Sequence, residues 1–449
     1  MIFIRLFAVA FLLSNALFTT CSSASSQLKA INFKDFLGVN AHLLWYPEAI
    51  YKKQLDHLSE LGLTWVRVDL HWSHLEPEYN KFQYVNELDA LMAELNQRNV
   101  NELVYLVGSP RFVSMAAQGE KHFDKYPPTE KILGLHGLEG FNGVQLFAQR
   151  MKELADRYPN VDAWQIWNEP NIPPYWSPIE DPEGYGRLVA TASEQLPNNR
   201  LKVLGGMAYF SEMPLRGKRP MLKDLLDLDV DHHVDVVAYH PYTKMPSGKG
   251  EYNLNEKVSF YNTYMRQQGV KQIWATEFGW STYRGKVEVQ PHITEHQQAD
   301  YLLKRIALMM EMDFEKIFIF TLSDLDTRAT ERDRFYGLLD QQGDPKPAYY
   351  SLKYFLTVMG LNVKQDGLVA PYVGDVEHLS WWESQASGRR IALLWADSGN
   401  NLKISHPLSS QYSGARLFDP ITGTTMPVAS NAGVFDIVSN GQLQMLVLE

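Results

Sequence analysis

Residues 163–171 read AWQIWNEPN, a largely apolar run followed by a loop-like segment that contains an acid. The composition of the run is that of a buried strand, because small, aliphatic and aromatic side chains dominate it. Glu169 then stands between Asn168 and Pro170, and the proline stiffens the segment that carries the acid. The stretch therefore predicts a strand that delivers an ionisable side chain to a loop.

Seven further β-rich runs lie before and after this stretch, and an amphipathic helical pattern follows each one. The runs, with this strand as the fourth, are residues 36–44, 64–72, 102–108, 161–167, 201–204, 234–240, 272–276 and 316–321. The helical patterns are residues 52–61, 85–95, 144–158, 184–195, 221–228, 258–268, 295–312 and 348–359. Eight such units are the number that closes a barrel, so we predict a (β/α)8 TIM barrel over residues 33–360.

An open doubly wound sheet is the alternative arrangement of alternating strands and helices. Such a sheet normally carries a Gly-rich phosphate turn after its first strand. The first run is followed instead by Trp45, Tyr46 and Pro47, which favours the barrel.

After residue 361 the helical period is lost and short strands alternate with turn sequences. The clearest strand runs are residues 378–383, 390–395 and 443–448, and turn-forming residues fill 397–401 and 419–423. We predict a small antiparallel β-sandwich accessory domain over residues 361–449.

The N-terminus has the pattern of an export signal, which we assign to residues 1–26. Arg5 precedes an apolar run at 6–13 that is too short to span a bilayer comfortably. Cys21, the only cysteine, follows it and resembles a bacterial lipoprotein attachment site. Lipidation of Cys21 and simple cleavage near Ala24 both stay open. We therefore expect an exported protein, either periplasmic, tethered to a membrane by lipid, or secreted.

Composition limits the classes of partner. The net charge of −10 is spread without a basic stripe, which argues against nucleic acid and against an anionic membrane surface as the main partner. The eleven Trp and twenty-three Tyr exceed what an ordinary core requires, so some rings are expected to face a ligand. We expect a monomer.

A second acid ends the seventh predicted strand, in IWATEFGWST at residues 273–282. Strands four and seven lie across a barrel mouth from each other, so Glu169 and Glu277 can face one substrate bond. A single glutamate at a strand end is more often a helix cap or a surface charge than a catalyst. Two carboxylates facing one bond suit glycoside hydrolysis, in which one protonates the leaving oxygen and the other attacks or stabilises the anomeric carbon.

The motifs WNEPN at 167–171 and TEFGW at 276–280 resemble the acid/base and nucleophile motifs of clan A retaining glycoside hydrolases. Within that clan the chain looks most like glycoside hydrolase family 39, in particular the bacterial exopolysaccharide glycosidases of the PslG type. The resemblance extends over residues 36–360. Its other segments are GVNAH at 38–42, GLTWVR at 62–67, AYHPY at 238–242 and YGLLDQQGDPKPAYYSL at 336–352. Beyond that range, LFDPITG at 417–423 resembles the appended β-sandwich of such enzymes.

The resemblance implies that Glu169 is the acid/base and Glu277 the nucleophile. It also implies that Arg67 lies beside Glu277 and keeps it ionised, since a nearby cation lowers a carboxylate pKa. Tyr242 and His240 would orient Glu277 or bind the sugar, although a buried structural role for His240 is the alternative. Asn168 offers an amide that can bind a sugar 2-hydroxyl.

Sugar rings stack on aromatic faces, and several aromatic residues lie near the predicted site. The candidates that we select as substrate-binding platforms are Trp72, Trp280 and Trp176 with its neighbour Tyr175, and loop packing is the alternative for each. Residues 318–324, FIFTLSD, depart from the clan in lacking a Trp at the end of strand eight. Phe320 or another ring would have to replace it.

Other chemistries find little support. Asp231, His232 and His233 have no second cluster at metal-binding spacing, so we predict no metal and no cofactor. No G-x-S-x-G elbow and no P-loop occur. The leading hypothesis is an endo-acting retaining glycosidase that cuts a bacterial exopolysaccharide. The alternatives are an exo-acting β-xylosidase-like glycosidase and a non-catalytic polysaccharide-binding protein.

Overall fold

A closed barrel of eight parallel strands forms the larger part of the molecule and confirms the TIM-barrel prediction. The computed structural model describes residues 28–134, 137, 139–208, 220–247, 254–286, 290–368, 371–412 and 414–449. The barrel strands are Leu37–Asn40, Trp65–His71, Asn101–Val107, Ala163–Ile166, Leu201–Leu204, Val236–His240, Gln272–Phe278 and Lys316–Ile319. Each pairs with the next, and strand eight pairs with strand one, which closes the barrel.

Helices alternate with the barrel strands, within a few residues of the predicted bounds. The long helices are Glu48–Glu60, Val85–Gln97, Gly143–Arg157, Pro182–Gln195, Met221–Asp227, Leu254–Gln267, Glu295–Glu311 and Pro347–Met359. Two short helices, Phe33–Phe36 and Trp72–Leu75, flank strands one and two. Asn142 and Thr294 start their helices with capping boxes, in which side chain and backbone exchange hydrogen bonds.

Aromatic side chains fill the N-terminal end of the barrel. Trp65, Trp274 and Phe318 pack there with ring centroids 5.8 to 6.4 Å apart. The ammonium of Lys316 lies 3.9 Å from the Trp65 ring centroid. Because this end is packed, the barrel offers its functional groups at the C-terminal ends of the strands, as is usual for the fold.

Two antiparallel sheets pack face to face and confirm the predicted β-sandwich. In order across the larger sheet, the strands are Ala30–Asn32, Asn362–Gln365, His378–Ser384, Arg390–Trp395, Gln444–Leu448, Ala415–Asp419 and Thr424–Pro427. Across the smaller sheet they are Tyr372–Val373, Asn401–Ser405, Val434–Val438 and Ser430–Asn431. Apolar side chains from both sheets form a common core between them. The sequence pattern had indicated only three of these strands.

The larger sheet is joined to the barrel through hydrogen bonds and a shared core. The Lys304 ammonium donates to the Gly441 carbonyl at 2.8 Å, and the Leu443 amide donates to Asp300 at 2.8 Å. Trp382, Leu393 and Met445 of the sheet belong to the same buried cluster as the barrel helices Glu295–Glu311 and Pro347–Met359. The two parts therefore share one hydrophobic core.

The export signal and the lipidation candidate Cys21 lie outside the described residues, so both stay predictions. Within the described part of the chain, none of the helices combines the length and the apolarity that a membrane crossing requires.

Candidate active site

The fourth barrel strand ends in a strained turn that carries Glu169. Trp167 and Glu169 have φ angles of 72° and 41°, in the left-handed region that residues other than glycine rarely adopt. The Glu169 amide donates to the Gly206 carbonyl at 3.0 Å, and Asn171 exchanges two hydrogen bonds with the backbone of Ala208 at 2.9 and 3.1 Å. Bonds to the segment just after strand five thus hold the turn in this conformation.

Arg67 is fully buried and binds residues at the ends of three other strands. Its guanidinium donates to Glu277 Oε1 at 2.7 Å, to Asn40 at 2.7 Å and to Asn168 at 2.6 Å. A further bond of 3.0 Å reaches Gln165. The expectation that Arg67 lies beside Glu277 therefore agrees with the geometry. Its bond to the Asn168 carbonyl oxygen also fixes that amide, leaving Nδ2 as its donor side.

His240 lies between the two glutamates. Its Nδ1 is 2.7 Å from Glu169 Oε1 and 3.5 Å from Glu277 Oε2, and its Nε2 is 3.0 Å from the Thr276 hydroxyl. The Tyr242 hydroxyl donates to Glu277 Oε2 at 3.0 Å. One carboxylate oxygen from each glutamate and one His240 nitrogen all lie within 4.8 Å of one another. The five residues assigned to the acids and their partners thus form one cluster.

The two glutamates have different electrostatic surroundings. Burial raises the pKa of Glu169 to about 8, although the nearby charge of Arg67 opposes the shift. Burial also lowers the pKa of His240 to about 3, so its imidazole is neutral at pH 7. Glu277, in contrast, pairs directly with the Arg67 guanidinium. At neutral pH Glu169 is protonated beside a neutral histidine, whereas Glu277 is paired with a permanent cation.

A cavity of about 400 Å³ opens over both carboxylates at the C-terminal end of the barrel. Aromatic side chains line much of it: Trp45, Tyr105, Tyr175, Tyr242, Phe320 and Tyr336. Phe320, named from the sequence as a replacement for the missing Trp, contacts Tyr336 edge to face with ring centroids 5.3 Å apart. A cavity of this size, in which aromatic rings stand beside charged and polar side chains, is suited to a sugar.

The three tryptophans predicted as platforms do not line this cavity. Trp72, Trp176 and Trp280 are only 2%, 3% and 1% exposed. The Trp72 indole N–H donates to Glu76 at 2.8 Å, and that of Trp280 donates to the Lys244 carbonyl at 3.0 Å. A buried ring presents no face to a ligand, so these assignments were wrong and loop packing explains the residues. Tyr175, beside Trp176, is the ring that lines the cavity.

A group of polar side chains around Asp69, at one side of the cavity, was not predicted from the sequence. Asp69 is buried and contacts three side chains of the cavity lining: His42 at 2.9 Å, Trp45 at 3.0 Å and His71 at 3.3 Å. Burial alone would raise the pKa of Asp69, but His42 and His71 hold it well below its usual range. The sequence did contain a pattern that predicts this position for Asp69 and His71. They alternate with Arg67 along strand two, so all three side chains share the barrel interior.

The cluster formed by the two glutamates and His240 also offers the ligand atoms that a small cation site requires. Glu169, His240 and Glu277 each offer one ligand atom within the 4.8 Å spread. Glu277 Oε1, however, already accepts a hydrogen bond from Arg67, which supplies a positive charge there. The guanidinium therefore competes with a cation for this carboxylate.

Comparisons with known proteins identify the fold. No protein-family model matches the sequence, and a search of curated proteins finds no match. Among solved structures, the chain is similar to a family 39 glycoside hydrolase from Bacteroides cellulosilyticus WH2, at TM-score 0.67 and 18% identity over 93% of this chain and 82% of that one.

Two further structures are similar over most of their length. A family 30 endoxylanase from Clostridium papyrosolvens C71 has TM-score 0.62 and 12% identity over 94% of this chain and 98% of that one. A monomeric β-xylosidase from Caulobacter crescentus CB15 has TM-score 0.60 and 14% identity over 94% and 97%. The chain therefore shares the fold of these glycoside hydrolases across both the barrel and the β-sandwich.

Proposed function

We propose that this protein is a retaining glycoside hydrolase that cleaves O-glycosyl bonds by double displacement. The observation that carries the proposal is the pair of glutamates in one cavity, with one carboxylate oxygen of Glu169 within 4.8 Å of one carboxylate oxygen of Glu277. Retaining enzymes hold their two carboxyl groups about 5 to 5.5 Å apart, whereas inverting enzymes need a wider gap for a water molecule. The short spacing favours retention.

In the first step, the Glu277 carboxylate attacks the anomeric carbon and the bond from that carbon to the leaving oxygen breaks. Glu169, protonated at neutral pH because of its raised pKa, gives its proton to the leaving oxygen. The products of this step are the free alcohol and a glycosyl ester of Glu277. Arg67 and Tyr242, which contact opposite oxygens of Glu277, fix the direction of attack.

In the second step, the ionised Glu169 takes a proton from a water molecule, whose oxygen attacks the anomeric carbon. The ester bond to Glu277 breaks, and one water has been consumed for each glycosidic bond cleaved. His240 holds Glu169 in place during both steps through the contact at Nδ1. Asn168, oriented by Arg67, is the donor for the sugar 2-hydroxyl.

The substrate that we propose is a bacterial exopolysaccharide, cut within the chain by an enzyme of the PslG type. An exo-acting β-xylosidase-like activity is the second candidate, and a β-xylosidase and an endoxylanase both occur among the similar structures. A non-catalytic polysaccharide-binding role is the third, but binding alone requires neither a buried protonated acid nor an arginine-paired carboxylate.

The location and assembly that we propose follow from the sequence. The signal at residues 1–26 would export the chain, with Cys21 as the site of lipid attachment. Unchanged membrane association of a Cys21→Ser variant would contradict the anchor. We propose that the enzyme acts as a monomer, with residues 33–360 as the catalytic barrel and residues 361–449 as the accessory β-sandwich.

The function is tested by incubating the protein with a panel of polysaccharides and aryl glycosides while following product chain length. We expect Glu277→Gln to lower kcat by roughly 10⁴-fold or more and Glu169→Gln by roughly 10²- to 10⁴-fold on unactivated glycosides. Proton NMR of the first product is expected to show the anomeric configuration of the substrate. Oligomers of intermediate length indicate endo action, and monosaccharides alone indicate exo action.

Glu102 provides a matched control, since it is a buried glutamate at the start of strand three whose pKa burial also raises to about 8. Glu102→Gln is expected to leave kcat unchanged. Equal activity of wild type, Glu169→Gln and Glu277→Gln on every glycan would contradict the hydrolase proposal. Loss of activity with EDTA, regained with a divalent cation, would favour the cation site over the arginine-paired carboxylate.

A further inference from the structure

Arg305 is a buried guanidinium outside the catalytic cluster. It lies on the helix Glu295–Glu311 between strands seven and eight, and its side chain is completely buried. Burial lowers its pKa to about 9, so it is still charged at neutral pH, and no described carboxylate pairs with it. An unpaired buried charge is costly, so its neighbours must supply other compensation.

The compensation comes from one short segment, residues 241–246. Arg305 donates to the Pro241 carbonyl at 2.6 Å, to the Pro246 carbonyl at 3.0 and 3.1 Å, and to the Thr243 hydroxyl. All these acceptors lie on the loop that follows barrel strand six. The fork of the guanidinium therefore holds this loop in one conformation, which a single-point cation could not do.

The same loop carries a direct contact to the proposed nucleophile. Tyr242 lies between two of the residues that Arg305 binds, and its hydroxyl donates to Glu277 Oε2 at 3.0 Å. Trp280, three residues after Glu277, packs its ring 4.9 Å from the Arg305 guanidinium and donates its indole N–H to the Lys244 carbonyl. Arg305 thus contacts both the loop that bears Tyr242 and the segment that follows Glu277.

We propose that Arg305 is a positioning residue for the proposed glycosidase reaction, and that it acts by holding Tyr242 against Glu277. The inference rests on the proposed function, because it assigns a kinetic consequence to the Tyr242 contact. In the first step one oxygen of Glu277 must point at the anomeric carbon, and Tyr242 helps to fix the orientation of the carboxylate through its bond to Oε2. Release of the loop allows the carboxylate to rotate, which lowers kcat while substrate binding is retained.

A double-mutant cycle tests the proposal on whichever glycoside the wild type cleaves. The variants are Arg305→Lys, Tyr242→Phe and the two combined. We expect Arg305→Lys to lower kcat by roughly 10- to 100-fold with KM within about 3-fold. The combined variant is expected to be no slower than Tyr242→Phe by more than about 3-fold, because both changes remove the same contact. Effects that multiply, or a kcat that Arg305→Lys leaves intact, would overturn the proposal.

Arg150 is the matched control, because it is also buried and helical but pairs with Glu76. Arg150→Lys is expected to lower Tm without changing kcat. An equal loss of kcat in both lysine variants would indicate general loss of packing and overturn the proposal. Should Arg305→Lys not fold, Thr243→Val, which removes one acceptor, replaces it in the cycle with a smaller expected loss of kcat.

A crystal structure of the same variant separates this inference from the proposed function. If the wild type cleaves no glycan, the proposed function fails. The crystal structure of the variant still shows whether Arg305 positions Tyr242 against Glu277. We expect the Tyr242 hydroxyl in Arg305→Lys, or in Thr243→Val if that variant replaces it, to lie beyond about 3.5 Å from Glu277, outside hydrogen-bonding distance. An unchanged 3.0 Å contact would overturn the positioning role.

Discussion

Glu169 and Glu277 differ in the groups that contact their carboxyl groups. Glu277 receives a guanidinium hydrogen bond from Arg67, whereas Glu169 faces a neutral imidazole and lies in a strained, buried turn. Environment therefore separates two chemically identical side chains into a proton donor and an ion-paired carboxylate. Such a separation is the usual way in which one site provides both an acid and a nucleophile at neutral pH.

The raised pKa of Glu169 predicts the alkaline limit of activity. We expect kcat/KM for an unactivated glycoside to fall as pH rises through about 8, because Glu169 then loses the proton that it must donate. A dinitrophenyl glycoside needs no protonation of its leaving group, so its kcat/KM should lack this decline. Parallel pH profiles for the two substrates measure the difference. An alkaline decline centred below pH 6 for the unactivated glycoside would contradict the assignment of Glu169 as the acid.

Among the elements, strand five has an interruption that the active site requires. Leu201–Leu204 is followed by Gly205 and Gly206 before a short extension, Met207–Ala208, pairs with the end of strand six. A Cβ at Gly206 would lie 2.1 Å from His240 Nε2 and 2.6 Å from the Thr276 hydroxyl. The glycine therefore makes room for the histidine that contacts Glu169.

Gly206→Ala should disturb catalysis through His240. We expect kcat/KM to fall by roughly 10²-fold, because the added methyl must displace the imidazole from Glu169. Gly134→Ala is the control, since a Cβ there meets no atom within 4 Å. Steady-state kinetics and Tm of both variants check the prediction. A Gly206→Ala enzyme with wild-type kinetics would show that His240 does not need its present position.

The elements of the barrel were predictable because their periodicities are strong, but the direction of individual side chains was less so. The meeting of Arg67, Glu169 and Glu277 was predictable because they lie on barrel strands or just after one, where the topology brings side chains together. Trp72 was misjudged because it begins the short helix Trp72–Leu75, and its ring packs against Phe147 of the helix Gly143–Arg157 instead of facing the cavity. The strand Ala30–Asn32 is three residues long and has no readable pattern, so only the tertiary structure shows it.

At the scale of the whole molecule, both ends of the barrel segment are tied to one sheet. Ala30–Asn32 and Asn362–Gln365 are adjacent antiparallel strands, and the Phe33 amide donates to the Leu361 carbonyl at 2.8 Å. The sheet also covers the helices Glu295–Glu311 and Pro347–Met359, whose apolar faces share its core. The β-sandwich is therefore part of what stabilises the barrel.

Removal of residues 361–449 should prevent folding of the barrel rather than release an active fragment. The truncation exposes apolar helix surface that Trp382, Leu393 and Met445 cover in the whole chain. We expect insoluble or poorly structured protein by solubility and circular dichroism, and a single thermal transition for the full chain by calorimetry. A soluble fragment of residues 28–360 with wild-type kcat would contradict this prediction.

The pairing of Ile31 with Val363 has a consequence for synthesis on the ribosome. Roughly 330 residues must be added between the two, which takes on the order of 20 to 60 s at typical rates of translation. During that interval the short strand has no partner, and its brevity limits the edge that it could offer to another chain. The large sheet cannot be completed until translation has passed the whole barrel, so we expect the barrel helices to assemble before their sandwich cover arrives.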